Sequence, residues 1–227
     1  MENARKNVFS GSGMTRRSFV VGMSATAIAS MLGLSACGAP STVGDSSNAT
    51  AEDYDIVIVG AGGAGMCAAI AAFDAGIKNL VILEKASMVG GNTSFSSSGM
   101  NASETKFQKE QGIEDSNELF AQETLDGGHN TGDPELVDFM CDHSAGTIDW
   151  LDGLGITSTG GMSVKRCHRP TDGSPVGATV VPGLEAQVKD RDIKVVKNCQ
   201  VKSLIVDDSG VVTGVMADNA GSEATYN

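Results

Sequence analysis

The sequence lacks paired cysteine motifs. Its five cysteines, Cys37, Cys67, Cys141, Cys167 and Cys199, form neither C-x-x-C nor C-x-x-C-H. This spacing excludes zinc ribbons, thioredoxin-like redox pairs and c-type haem attachment. We expect the four cysteines after Cys37 to be thiols packed in apolar surroundings, although spacing alone leaves a disulfide open. No metal site is predicted.

Basic residues are also few. The chain of 227 residues has 16 Lys and Arg against 28 Asp and Glu. From Cys37 onward, 12 basic residues face 27 acidic ones, a net charge of −15. Such an acidic surface repels phosphate backbones, which argues against nucleic acid as a partner. The hydrophobic content of 41% is enough for one substantial core domain.

The N-terminal apolar run is too short for a membrane-spanning helix. It covers residues 20–34, whereas a spanning helix needs about 20 apolar residues. The preceding Thr15–Val20, with Arg16-Arg17, resembles the twin-arginine export motif, and Leu34–Cys37 resembles a lipobox. The resemblance implies that residues 1–37 are a signal for export by the twin-arginine route. It also implies lipidation of Cys37, which would anchor the protein on the outer face of the cytoplasmic membrane.

Composition divides the rest of the chain into two parts. Residues 38–52 are rich in Ser, Thr, Gly and Asn, a composition typical of a flexible tether. Residues 53–227 are predicted to form the folded domain.

A glycine-rich turn follows the first strand of that domain. Ile56–Val59 is continuous, apolar and β-branched, which predicts a buried parallel strand. Gly60, Gly62 and Gly65 then satisfy G-x-G-x-x-G, and a helix is predicted over residues 64–75. A second strand, Leu80–Leu83, ends on Glu84. Together these features predict a dinucleotide site, with the pyrophosphate at the helix N-terminus and the acid on a ribose.

The residues after Glu84 resemble a known family. Glu84–Thr93 (EKASMVGGNT), Ser98–Ala102 (SGMNA) and the stretches 131–151 and 163–170 are similar to the FAD-binding domain of fumarate reductase and succinate dehydrogenase flavoproteins. The likeness is to the soluble flavocytochrome c and urocanate reductase type. It implies FAD as cofactor and an α/β, Rossmann-like fold. That fold would be a parallel sheet with helices on both faces plus a β-excursion, incomplete at the C-terminus.

By position, the resemblance assigns roles to individual residues. The glycine turn would hold the pyrophosphate, Glu84 the adenosine ribose and Val201 the adenine, while two later loops would run along the flavin. His168 and Arg169 are possible substrate contacts; Cys167 and His168, adjacent in an extended segment, are poorly placed as a nucleophile and base pair. The implied cofactor-binding residues are Gly60, Ala61, Gly62, Gly63, Ala64, Gly65, Glu84, Lys85, Gly91, Asn92, Thr93, Ser98, Gly99, Met100 and Val201.

Three functions follow as hypotheses. The first is an exported FAD-dependent reductase of α,β-unsaturated carboxylates, with electrons from a haem or FMN partner and hydride transfer from FAD. The second is a flavin dehydrogenase of the ketosteroid type, and the third a non-catalytic, membrane-tethered flavin-binding module. In the resembling family, a capping domain and a later return to the FAD domain supply the catalytic Arg and His residues. We therefore expect a truncated product or fragment that does not complete the reaction alone.

Overall fold

A computed structural model describes residues 50–156, 161–162 and 165–227. The predicted signal with Cys37, and residues 38–49 of the predicted tether, lie outside the described residues. The helices and strands, in chain order, are β1 (Thr50–Glu52), β2 (Ile56–Val59), α1 (Gly63–Asp74), β3 (Leu80–Leu83), a 3₁₀ helix (Gly91–Phe95), β4 (Met100–Asn101), α2 (Lys106–Glu110), α3 (Asn117–Gly127), α4 (Pro134–Asp142), α5 (Ser144–Gly153), β5 (Gly161–Met162), β6 (Cys167–Arg169), α6 (Val176–Asp190), β7 (Lys194–Val196), β8 (Cys199–Val206), β9 (Val212–Asn219) and β10 (Ser222–Tyr226).

The two apolar runs beside the glycine motif are neighbouring strands of a parallel sheet. β2 and β3 have the predicted bounds, and Ile56 lies opposite Leu80. β7 pairs in parallel with the other edge of β3, in the order β2-β3-β7. Because β3 is the middle strand, all four of its residues are buried. Burial of each large apolar side chain stabilises the fold by roughly 1.5–3 kcal/mol.

Different layers cover the two faces of this sheet. Leu80 and Ile82 pack with α1 and α6, whereas Val81 and Leu83 pack with β8, β9 and β10. The split arises because successive strand residues point to opposite faces. The α/β fold class is confirmed, but the prediction of helices on both faces needs correction. In the described part of the chain, the four-stranded sheet β1-β10-β9-β8 covers the second face.

The folded part begins inside the segment predicted to be a tether. β1 pairs in parallel with β10, and Glu52 lies opposite Tyr226. The amide of Asn227 donates to the carbonyl of Glu52 (2.9 Å), and the amide of Tyr54 donates to the carbonyl of Asn227 (2.7 Å). Residues 50–52, which were predicted to belong to the tether, therefore complete the edge of the sheet.

β8 and β9 form an antiparallel hairpin. The Asp207 carboxylate accepts hydrogen bonds from the amides of Ser209 (2.8 Å) and Val211 (2.9 Å), which closes the turn. Gly210 has a φ of +85°, a conformation that favours glycine. β8 begins at Cys199, so Val201 is the third residue of the strand.

The middle of the chain forms short helices and a small antiparallel sheet, β4-β6-β5. Asp133 caps α4 by accepting from the amide of Glu135 (3.0 Å), and Pro134 occupies the first helical position. Cys67, Cys141, Cys167 and Cys199 are free thiols, and all except the half-buried Cys67 are buried. Among the described residues, no helix has the length and apolar character needed to cross a membrane.

Candidate functional site

The glycine turn, residues 60–65, connects β2 to α1. Gly60 has a φ of +98°, which a residue with a side chain rarely adopts. A Cβ on Gly65 would lie 1.9 Å from the Gly60 carbonyl oxygen, so only glycine lets α1 start this close to the strand. A Cβ on Gly62 would meet no atom nearer than 3.8 Å. Gly60 and Gly65 thus shape the turn, whereas Gly62 leaves open space beside the backbone.

The N-terminus of α1 faces that open space. Its N-cap residue, Gly62, has no side chain to cap the helix, and the first turn contains no acidic residue. Unpaired amides and the helix dipole give such an end a partial positive charge, which attracts phosphate groups. The turn therefore has the geometry and the polarity to hold a pyrophosphate.

Glu84 lies directly beside the glycine turn. Its carboxylate, 7% exposed, accepts hydrogen bonds from the amides of Ala61 (2.7 Å) and Ala86 (2.8 Å). The first bond joins the end of β3 to the turn across 23 residues of sequence. It places the acid next to the glycine turn. A ribose contact by Glu84 stays a prediction. The neighbouring Lys85 is exposed.

A second loop, residues 90–99, is held against the glycine turn; we call it the Gly90 loop. The Gly90 amide donates to the Ala61 carbonyl (2.7 Å), and the Gly63 amide donates to Oγ1 of Thr93 (3.1 Å). Gly91, Asn92 and Thr93 are brought to the N-terminus of α1 in this way. Gly90, with a φ of +108°, was not among the predicted site residues, although the Gly-Gly pair after a strand signals such a turn.

The end of the Gly90 loop packs against β6. A Cβ on Gly99 would lie 2.3 Å from the His168 carbonyl oxygen, so glycine is required by close approach. Met100 pairs with His168 in the small sheet, and Oγ of Ser98 lies 3.7 Å from Sγ of Cys167. These contacts fix Ser98, Gly99 and Met100 against β6. Their contact with the flavin stays a prediction.

His168 is buried, with 1% of its surface exposed. Nδ1 lies 2.7 Å from the Arg166 carbonyl and 3.2 Å from that of Met100, and because carbonyls only accept, Nδ1 carries the proton. Nε2 pairs with the Thr105 hydroxyl at 2.9 Å. Both nitrogens are thus occupied by protein atoms. In this structure His168 supports β4 and the N-terminus of α2. A substrate contact by His168 stays a prediction.

Arg169, the other predicted substrate residue, is only half-buried. Its Nε is buried, and no hydrogen-bond partner for it is found among the described residues. An unpaired buried donor is costly, so this guanidinium has capacity for an anionic partner.

A buried ionic cluster anchors the segment that leads into β6. The Asp115 carboxylate accepts from Nε and Nη2 of Arg166 (both 2.7 Å) and from Nε2 of Gln108 (2.9 Å), and pairs with Lys165 (3.2 Å). Arg166 also contacts Glu123. Burial disfavours the charged carboxylate, but these partners outweigh it and lower the pKa of Asp115. A cavity of about 330 Å³ beside the cluster includes no residue of the glycine turn in its lining.

Val201 is half-buried in β8 and pairs with Ala217. The start of its strand is bonded to the end of β3, because the Cys199 amide donates to the Glu84 carbonyl (2.9 Å) and the Asn198 amide to the Ala86 carbonyl (3.0 Å). Val201 therefore lies two residues along β8 from Cys199, the residue that is bonded to Glu84. An adenine contact there stays a prediction.

Comparisons with known proteins agree with this geometry. A family model described as an FAD binding domain matches residues 55–227. The chain is 44% identical over 181 residues to an NADH:fumarate oxidoreductase of Klebsiella pneumoniae, covering 78% of this chain and 19% of that protein. It is 41% identical over 170 residues to a cytochrome-type fumarate reductase of Shewanella frigidimarina, covering 73% and 30%.

A solved structure is also similar. The open conformation of a flavocytochrome c3 fumarate reductase matches with a TM-score of 0.74 and 32% identity, covering 79% of this chain and 33% of that one. The chain thus spans between about a fifth and a third of the length of the proteins it resembles.

Proposed function

The chain belongs to the FAD-binding domain family of the fumarate reductase and succinate dehydrogenase flavoproteins, and we propose that it binds FAD for an exported reductase of α,β-unsaturated carboxylates. The observation that carries this proposal is the joined pair of loops at the N-terminus of α1. Gly62 leaves room for a pyrophosphate there, and Thr93 and Glu84 are bonded to the same turn.

The residues present fit the cofactor. Glu84 holds the end of β3 against Ala61, which suits an acid that accepts hydrogen bonds from ribose hydroxyls. The exposed Gly91 and Asn92 offer backbone and short polar groups to a planar ring. When bound, reduced FAD supplies a hydride to a C=C bond. The protein's part here is to bind and orient the cofactor.

An unsaturated carboxylate is the substrate class that the relatives favour. The two curated relatives and the similar structure are named for fumarate, which is such a compound. These names argue against the ketosteroid-type alternative. In this proposal, Arg169 binds the carboxylate, because its Nε is buried without a partner among the described residues. The proton donor belongs to residues outside the glycine turn and the Gly90 loop.

A haem or FMN carrier supplies the electrons in this proposal. One relative is named as a cytochrome-type reductase, and the similar structure is a flavocytochrome. The Klebsiella relative is named for NADH as donor. The cytochrome-type names support a haem donor for this proposal.

Flavin content and dye oxidation test the proposed function. We expect the protein purified from its natural source to contain one FAD per chain and to oxidise a reduced viologen dye when fumarate, urocanate or acrylate is added. A 3-ketosteroid should give no oxidation above background. FAD without activity on any carboxylate would favour the non-catalytic module, and activity on the steroid alone would favour the ketosteroid type.

Export and lipid anchoring are the second part of the proposal. They rest on Arg16-Arg17, the apolar run and Cys37, in the order that an exported lipoprotein requires. We expect Cys37→Ser to move the protein from the membrane fraction to the soluble exported fraction, measured by fractionation and immunoblotting. Replacing both arginines by lysine should keep it in the cytoplasm. If the Cys37→Ser protein still associates with the membrane, Cys37 is not its lipid anchor.

A further inference from the structure

The N-terminus of α6 packs directly on the backbone of the Gly90 loop. A Cβ on Gly177 would lie 2.3 Å from the Thr93 carbonyl oxygen and 2.9 Å from that of Ser94. Ordinary contact begins at about 3.4 Å, so any side chain at residue 177 would force the loop and the helix apart by about 1 Å. Both clashing atoms belong to the backbone and cannot rotate away.

Hydrogen bonds hold the two segments in this position. The Gly177 amide donates to the Ser96 carbonyl (3.0 Å), and the Val176 amide donates to the Ser98 carbonyl (3.4 Å). First-turn amides have no partner within their own helix, and the N-cap residue Pro175 offers no side-chain acceptor. The Gly90 loop therefore caps α6.

The helix also touches the start of the loop. A Cβ on Gly90 would lie 2.8 Å from Cγ1 of Val181, which is buried one turn further along α6. On its opposite side the loop is bonded to the glycine turn through Gly90 and Thr93. The Gly90 loop is therefore clamped between the N-termini of α1 and α6.

We propose that Gly177 is a positioning residue for the cofactor: its missing side chain sets how close the Gly90 loop lies to the pyrophosphate-binding turn. This inference rests on the proposed function, in which both segments contact one FAD. Glycine is not required at residue 177 by a positive φ, and alanine is the better helix former. The close approach to Thr93 is the remaining physical reason for glycine.

Gly177→Ala, made in the full-length protein, tests the inference. The clash should push the Gly90 loop toward the glycine turn and distort the bond between Thr93 and Gly63. It should also raise the FAD dissociation constant about tenfold and change the visible circular dichroism of the bound flavin. Hydrogen exchange of residues 90–99 should become faster in the apoprotein. The matched control is Gly183→Ala in the same helix, where the three atoms nearest to the new Cβ all belong to the Ile156 side chain and not to a backbone. Gly183→Ala should alter the melting temperature but leave the FAD dissociation constant and the circular dichroism of the flavin unchanged.

Each outcome decides the question. A folded Gly177→Ala protein with wild-type FAD affinity, flavin dichroism and exchange rates would overturn the inference. If Gly177→Ala does not fold, Val181→Ala removes the Gly90 contact without a clash, and it should raise the dissociation constant; unchanged affinity would refute the clamp. If wild type itself binds no FAD, the proposed function fails, and exchange in residues 90–99 still shows whether Gly177 positions the loop.

Discussion

Gly62→Val is expected to abolish retention of FAD while leaving the fold intact. A Cβ on Gly62 has no protein atom within 3.8 Å, so the valine side chain enters the open space at the N-terminus of α1 instead of the core. That space is where the pyrophosphate approaches the backbone. We expect the FAD dissociation constant to rise at least about 100-fold, which corresponds to roughly 2.7 kcal/mol. Isothermal titration of the apoprotein with FAD measures the change.

Gly65→Ala is the matched comparison for Gly62→Val. Its Cβ would lie 1.9 Å from the Gly60 carbonyl oxygen and cannot be accommodated without moving α1. This variant should therefore lose both stability and FAD binding, whereas Gly62→Val should keep the far-ultraviolet circular dichroism and melting temperature of the wild-type apoprotein. If Gly62→Val binds FAD with wild-type affinity, the glycine turn does not bind the pyrophosphate.

Local patterns predicted the elements around the glycine turn well. β2 and β3 have the predicted bounds, because continuous β-branched runs bounded by Gly60 and Glu84 leave few other structures. α1 begins within one residue of its prediction. The glycine spacing also identified which positions need close approach. These features depend on residues near one another in sequence, so periodicity and turn chemistry were sufficient.

Contacts between distant segments could not be predicted in the same way. The clamp at Gly177 joins segments more than 80 residues apart, and nothing in its local pattern differs from an ordinary helix start. The hydrogen bonds of the His168 ring to Thr105 and Met100 likewise join segments 63 and 68 residues apart, and the motif around His168 does not predict them. The family resemblance implied helices on the second face of the sheet, but the strands that cover it, β8, β9 and β10, come more than 100 residues after β3.

Loss of the Asp115 carboxylate is expected to have the largest effect on stability. The side chain is fully buried and pairs with Arg166, whose own side chain is only 9% exposed. Asp115→Ala would leave that guanidinium without its bidentate partner in the interior, and breaking a buried pair from one side costs about 3–5 kcal/mol. Denaturation with urea measures the loss. Because the cluster supports Lys165 and β6, the variant should also expose the His168 segment to faster hydrogen exchange.

Lowering the pH should weaken the stabilisation that the same cluster gives to the wild-type protein. The pKa of Asp115 is lowered in the folded state, so its stabilisation is present above the unfolded pKa of about 3.9 and is lost as the pH falls through the lower folded value. The difference in unfolding free energy between wild type and Asp115→Asn should be constant at neutral pH and shrink below about pH 4. Asp74→Asn is the control, since Asp74 also pairs with an arginine, Arg191, but is exposed. Screening by water keeps exposed ion pairs weak, so Asp74→Asn should lower the unfolding free energy less than Asp115→Asn. Equal decreases in the two variants would show that burial of the cluster adds nothing to its stabilisation.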